Sequence, residues 1–200
     1  MTRTPEELVS FGSSFELPGQ TVTLTPIPGP SLSLRRGTLA LVDPWWPEML
    51  PEYPLIVMGQ GEQSTVLCTI DFLRDGKPEP VTIACAAAIG SVDQVSSWRP
   101  LVQDEAQFHL DSDSALGAFY DISDAEALRP LFEDGSHMQG VYNRALEEQI
   151  VTMEVDGRIA GVVFLCPDGS GTYPAYAGFD REMQAVAVLV DLRLLDQARD

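Results

Sequence analysis

The residues whose types and spacing could do chemistry lie near the middle of the chain. His109, Asp111 and Asp113 alternate, so an extended backbone would put all three side chains on one face, with Asp121 a little further on. Grouped carboxylates raise one another's pKa and can do acid–base work, or they can bind a hard cation such as calcium or magnesium. The spacing does not fit a twelve-residue calcium loop, because no glutamate stands at its closing position. The competing reading is a solvated strand end, with Asp113 or Asp121 capping nearby backbone. No cofactor is expected.

A second candidate is the stretch Gly169–Asp180, read as a ligand loop with Tyr173, Tyr176 and Asp180. Its glycines would let the backbone approach a ligand, and the tyrosines would supply stacking faces. It lacks the lysine of a phosphate-binding loop, and turn-and-strand structure with packed tyrosines is the alternative. Trp45-Trp46, between Pro44 and Pro47, reads either as an exposed ridge for a partner or as a loop anchor.

Conventional catalytic patterns are missing from the sequence. There is no Gly-x-Ser-x-Gly elbow, and His109 and His137 form no zinc-binding pattern. Cys68, Cys85 and Cys166 are odd in number, lie in apolar stretches and show no Cys-x-x-Cys spacing, so they read as buried, reduced thiols. An enzyme of ordinary design is not expected.

Charge is the least ordinary feature. Thirty acids face twelve bases, giving a net charge of −18. Such a chain repels nucleic acid and anionic membranes but attracts a basic protein and speeds its encounter. The acids concentrate between Asp104 and Asp156, where the bases are Arg129 and Arg144. Asp104, Glu105, Asp124, Glu126, Glu133, Asp134, Glu147 and Glu148 are the expected partner-binding residues. Glu133-Asp134 is placed at a helix C-terminus, where anions are disfavoured, so a role other than stability is expected there.

The elements that must position these residues read as α+β: a mainly antiparallel β-sheet with two central helices and a short N-terminal helix, in a single domain over residues 1–200. Pro5 opens the first helical turn. Thr21–Thr25 alternates as a strand and is expected to break at Pro26, Pro28 and Pro30. Strands follow over Thr38–Val42, Leu55–Met58, Ser64–Leu73 and Val81–Ala88, with a proline-stiffened loop at Trp45–Pro54. Ser123-Asp124-Ala125-Glu126 has the form of a capping box opening a helix to Glu133. Gly135–Met138 reads as a helix–helix loop, and a second helix covers about Gln139–Val151. Val151–Val155, Arg158–Leu165, Gly171–Ala177 and Ala185–Leu192 return to strand, with a turn at Asp156-Gly157. No apolar run approaches the roughly 18 residues of a membrane-spanning helix, and no secretory layout opens the chain, so a cytoplasmic location is expected.

Three segments resemble a bacterial domain-of-unknown-function family, number four-two-four-one. The first is Gly37-Thr38-Leu39-Ala40-Leu41-Val42-Asp43-Pro44, followed by Tyr53-Pro54-Leu55-Ile56-Val57. The second, Asp113 to Asp121, is similar to the family's Asp-x-Gly-x-x-x-Phe-x-Asp. The third runs from Asp168 to Asp180 and on to Val188-Leu189-Val190-Asp191. The resemblance covers about residues 35–192 and departs at Ala115, where the family usually carries Gly, and at Ala177, where it often carries Trp. It implies a small acidic bacterial protein, and some members resemble components of toxin–immunity loci. Two functions follow as expectations. One is an acidic inhibitor or immunity-type protein that neutralises a basic partner such as a nuclease toxin. The other is a metal-dependent enzyme or small-molecule binder using the central carboxylates.

Overall fold

Alternation along the strands assigns each side chain to one of two buried layers. In β3 (Thr38–Val42), Leu39 and Leu41 point one way while Ala40 and Val42 point the other. The computed structural model, which describes residues 4–17, 19–46, 55–74, 77–103 and 105–192, shows what lies on each side. β3 belongs to a five-stranded sheet of order β12-β13-β11-β3-β4, built from Ile150–Val155, Arg158–Leu165, Leu116–Asp121, β3 and Leu55–Val57. One face of this sheet packs on a second, larger sheet; the other is covered by helices.

The larger sheet has eight strands. Its path is β1 (Ser14–Leu17), β2 (Gln20–Leu34), β5 (Gly61–Arg74), β6 (Lys77–Ile89), β15 (Ala185–Asp191), β14 (Gly171–Phe179) and β10 (His109–Ser112). β7 (Ser97–Pro100) joins it beside β14, and a small hairpin, β8 (Val102–Gln103) with β9 (Ala106–Gln107), stands apart. Among the described residues every strand pairing is antiparallel. Between the sheets lies the main core, where Leu39, Leu41, Phe119 and Phe164 meet Leu67, Cys85, Val188 and Val190. The fold is α+β, as the sequence pattern indicates.

Two outer layers complete it. The short helix α1 (Pro5–Leu8) packs over the far face of the larger sheet, where Ala84, Ala86 and Ala88 alternate and leave room for Leu8 and Phe15. Thr4 caps α1, accepting from Glu7 N at 3.4 Å while the Glu7 carboxylate accepts from Thr4 N at 2.9 Å. On the opposite side, α2 (Ala125–Glu133) and α3 (Gly135–Glu148) bury Leu128, Phe132, Met138, Val141 and Ala145 against the five-stranded sheet.

Four local expectations are corrected. β2 does not break at its prolines, because β1 and the residues just before it pair along that edge only as far as Leu24. Pro26 and Pro28, two residues apart, lose N–H groups that would have faced the open edge, and a bulge between Pro28 and Ser31 absorbs the rest. Ser123 does not cap α2. The chain enters through a 3-10 turn, Ile122–Asp124, so Asp121 does the capping by accepting from Ser123 N at 2.8 Å. Gly135–Met138 is not a loop but the first turn of α3. Asp134 is therefore an N-cap, accepting from Ser136 N at 2.9 Å and His137 N at 3.1 Å, and it stabilises the helix it opens. The Asp156-Gly157 turn has both residues at positive φ (51° and 74°), as a two-residue hairpin turn of this twist requires.

Candidate functional site

The buried carboxylate of Asp43, at the end of β3, organises a cleft on the surface beside the helices. Its Oδ2 accepts from Asp113 N at 2.8 Å and Ser114 N at 3.0 Å; its Oδ1 accepts from Trp45 N at 2.9 Å and Ser114 Oγ at 2.6 Å. Four donors from two segments thus converge on one fully buried side chain. The turn carrying Trp45-Trp46 is locked to the turn between β10 and β11 that carries Asp113.

These two turns and the outer face of α3 enclose a cleft of about 360 Å³ lined by Trp45, Trp46, Asp113, Ser114, Gln139 and Tyr142. Gln139 and Tyr142 are three residues apart and so share a helix face. Trp45 packs partly into the core beneath the helices, whereas Trp46 remains 41% exposed. Asp113 is exposed. Its N–H goes to Asp43 and its carbonyl accepts from Ser170 Oγ at 2.7 Å, while its carboxylate makes no hydrogen bond or ion pair with a described residue.

The carboxylate group expected from the sequence is not assembled. His109 and Asp111 lie on β10, with Asp111 accepting from Thr172 Oγ1 at 2.9 Å. Asp121 ends β11, five residues beyond Leu116, or roughly 17 Å at the usual strand rise. There it is buried and accepts from the backbone of Arg35, Arg36 and Ser123. Its role is to fasten the β2–β3 turn to the start of the helical layer. Among the described residues no three His, Cys, Asp or Glu side chains could hold a metal ion together.

The tyrosine loop is a strand. Tyr173 faces the inter-sheet core and donates to Gly169 O at 2.6 Å, whereas Tyr176 packs on the opposite face of the same sheet. An odd separation on a strand forces that divergence. Asp180 caps the following turn, accepting from Glu182 N and Gln184 N, each at 2.9 Å. The three cannot share a ligand.

The acidic residues divide into three groups. Glu126, Glu133, Glu147 and Glu148 are exposed on α2 and α3, and none is ion-paired with a described residue. Asp134 is exposed beside them as the cap of α3. Asp124, expected at the surface, is instead 1% exposed and clamped by Arg35 and by Arg158, whose Nη1 lies 2.6 Å away. A carboxylate facing two guanidinium groups is neutralised and offers nothing to a partner. Glu105 sits on the β8–β9 hairpin, away from the helices, and Asp104 lies outside the described residues. Asp43, Gln139 and Tyr142 were not singled out by sequence. The available signal was Asp43-Pro44 beside two tryptophans, which looks like an ordinary strand stop.

The thiols play no part at the surface. Burial pushes Cys68 and Cys166 up to about 12 and Cys85 well above its ordinary 9.0. All three are free and buried. No family model, curated protein or solved structure matches the chain.

Proposed function

We propose that this protein is a cytoplasmic acidic binding module of inhibitor or immunity type, which recognises a basic protein through the layer formed by α2 and α3. One observation carries the reading. Glu126, Glu133, Glu147 and Glu148 stand exposed on the two helices with no ion pair among the described residues, while the neighbouring Asp124 has its own arginines. Arg35 and Arg158 are thus taken up by Asp124, which leaves Arg129 and Arg144 as the bases on the two helices against the four glutamates. A surface of this sign, on a chain of net charge −18, draws in a cationic macromolecule and raises its association rate.

Membership of family four-two-four-one is part of the same proposal. Its support includes Ala115, which stands at φ 63° where the family usually carries Gly, the residue that takes this conformation without strain. Gly37, which opens the first matched segment, has φ 69°, and a Cβ there would lie 2.7 Å from the backbone of Gly59. The metal-dependent reading has no comparable support, since Asp121 is committed elsewhere.

The test is capture from the native host at low ionic strength, using the wild type and a variant with Glu126, Glu133, Glu147 and Glu148 changed to Lys. The expected result is a basic protein held by the wild type, released by salt, absent from the variant, and then binding the purified wild type in a calorimeter. Equal capture by both, or capture of nothing basic, contradicts the reading.

A further inference from the structure

The cleft beside α3 has a chemistry of its own. Its polar turn groups have given their protons inward: Asp113 N, Ser114 N, Ser114 Oγ and Trp45 N all donate to Asp43. Gln139 gives an N–H to Asn143 Oδ1 at 3.2 Å and keeps its own carbonyl oxygen. What the turns leave at the walls is one carboxylate, that of Asp113, with no ion pair among the described residues, set among the aromatic side chains of Trp45, Trp46 and Tyr142. A carboxylate beside aromatic rings suits a cationic ligand that donates to the one and stacks on the others.

We propose that this cleft receives an arginine side chain presented by the basic partner. The inference deepens the binding-module reading and rests on it for the source of the arginine. Arginine fits better than lysine for two reasons. Its planar guanidinium stacks on aromatic faces, and its forked donors match a carboxylate in pairs, whereas an ammonium is a strongly hydrated point charge. The backbone that carries the carboxylate is held ready, fixed by Asp43 at the Asp113 N–H and by Ser170 at its carbonyl, so only the side-chain rotamer remains to be ordered on binding. At about 360 Å³ the cleft holds a side chain and not a folded segment. The chain's overall charge supplies the complementarity that brings a cation to it.

The experiment titrates the full chain with N-acetyl-argininamide at physiological salt, following the indole N–H signals of Trp45, Trp46 and, as an internal reference, Trp98 on β7. Trp45 and Trp46 are expected to shift while Trp98 stays fixed. The neutral isostere N-acetyl-citrullinamide and the lysine analogue are each expected to bind about tenfold more weakly. Asp113→Asn, whose fold is checked by the unchanged Trp98 signal, is expected to weaken argininamide by about tenfold. Equal binding of citrullinamide, an unaltered affinity in Asp113→Asn, or no shift at Trp45 and Trp46 overturns the proposal. None of the four glutamates lines the cleft, so the charge-reversal variant is expected to keep most of its argininamide affinity. Loss of partner capture in that variant with argininamide binding intact separates failure of the helical face from failure of the cleft.

Discussion

At the scale of single residues, Asp43 does more than any other side chain to hold the surface in shape. It is fully buried and accepts four hydrogen bonds from two segments distant in sequence. Asp43→Ala leaves three backbone donors and a hydroxyl without their partner, and it is expected to cost about 3 kcal/mol in urea unfolding. A loss under about 1 kcal/mol would mean that solvent can take over those donors. Ala115 makes the opposite prediction. A residue with a Cβ at φ 63° is strained, so Ala115→Gly is expected to raise stability by about 0.5–1 kcal/mol, against the usual penalty for introducing glycine. Neither effect is legible in sequence. Asp43 and Ser114 are 71 positions apart, and nothing local to Asp43-Pro44 distinguishes a strand stop from a bracket. Asp124 was misread for the same reason, since Arg35 lies 89 positions away and Arg158 lies 34.

Elements were more readable than residues because their signals are local. Apolar stretches bounded by turn residues identified β3, β5, β6, β13 and β15, and Asp156-Gly157 marked its hairpin through turn chemistry. The failures came where a neighbour decided the matter. Prolines end a strand inside a sheet, but β2 keeps an open edge past Leu24. Ser123-x-x-Glu126 has the form of a capping box, but Asp121 sits two residues upstream and takes the role first. Asp134 shows how one residue can serve two elements, for it stands at the C-terminus of α2, as expected, while its carboxylate also caps the N-terminus of α3. Asp134→Ala is therefore expected to destabilise the protein by about 1 kcal/mol in thermal or urea unfolding. No change, or a gain from removing an anion, would contradict the capping role. The end of α3 is also tied across the layers: Gln149, in left-handed conformation, accepts from Thr82 Oγ1 and donates to Pro80 O at 3.2 Å, so the helices are fixed to both sheets.

At the scale of the whole molecule, two sheets and two outer layers bury the thiols and leave most of the acidic residues of the helices outside. Cys68 and Cys166, held neutral by burial, make a stability contribution with a definite sign. Their protonated form is favoured in the folded chain, so the contribution is complete below about pH 9 and is lost as the pH rises from there through about 12. The urea midpoint is expected to fall between pH 8 and pH 10, and an aromatic disulfide reagent at pH 8 is expected to find its thiols only in denaturant; rapid reaction of the native protein would contradict their burial. Along the outside, the four glutamates on α2 and α3 define the pole toward which a basic protein would be steered. The measurement that tests this most directly is the association rate of the captured basic partner across ionic strength. Steering through the helical face predicts a rate that falls about tenfold or more between roughly 0.05 M and 0.3 M salt, with the charge-reversed variant slow throughout. A rate that stays flat with salt, or is the same for both proteins, would contradict it.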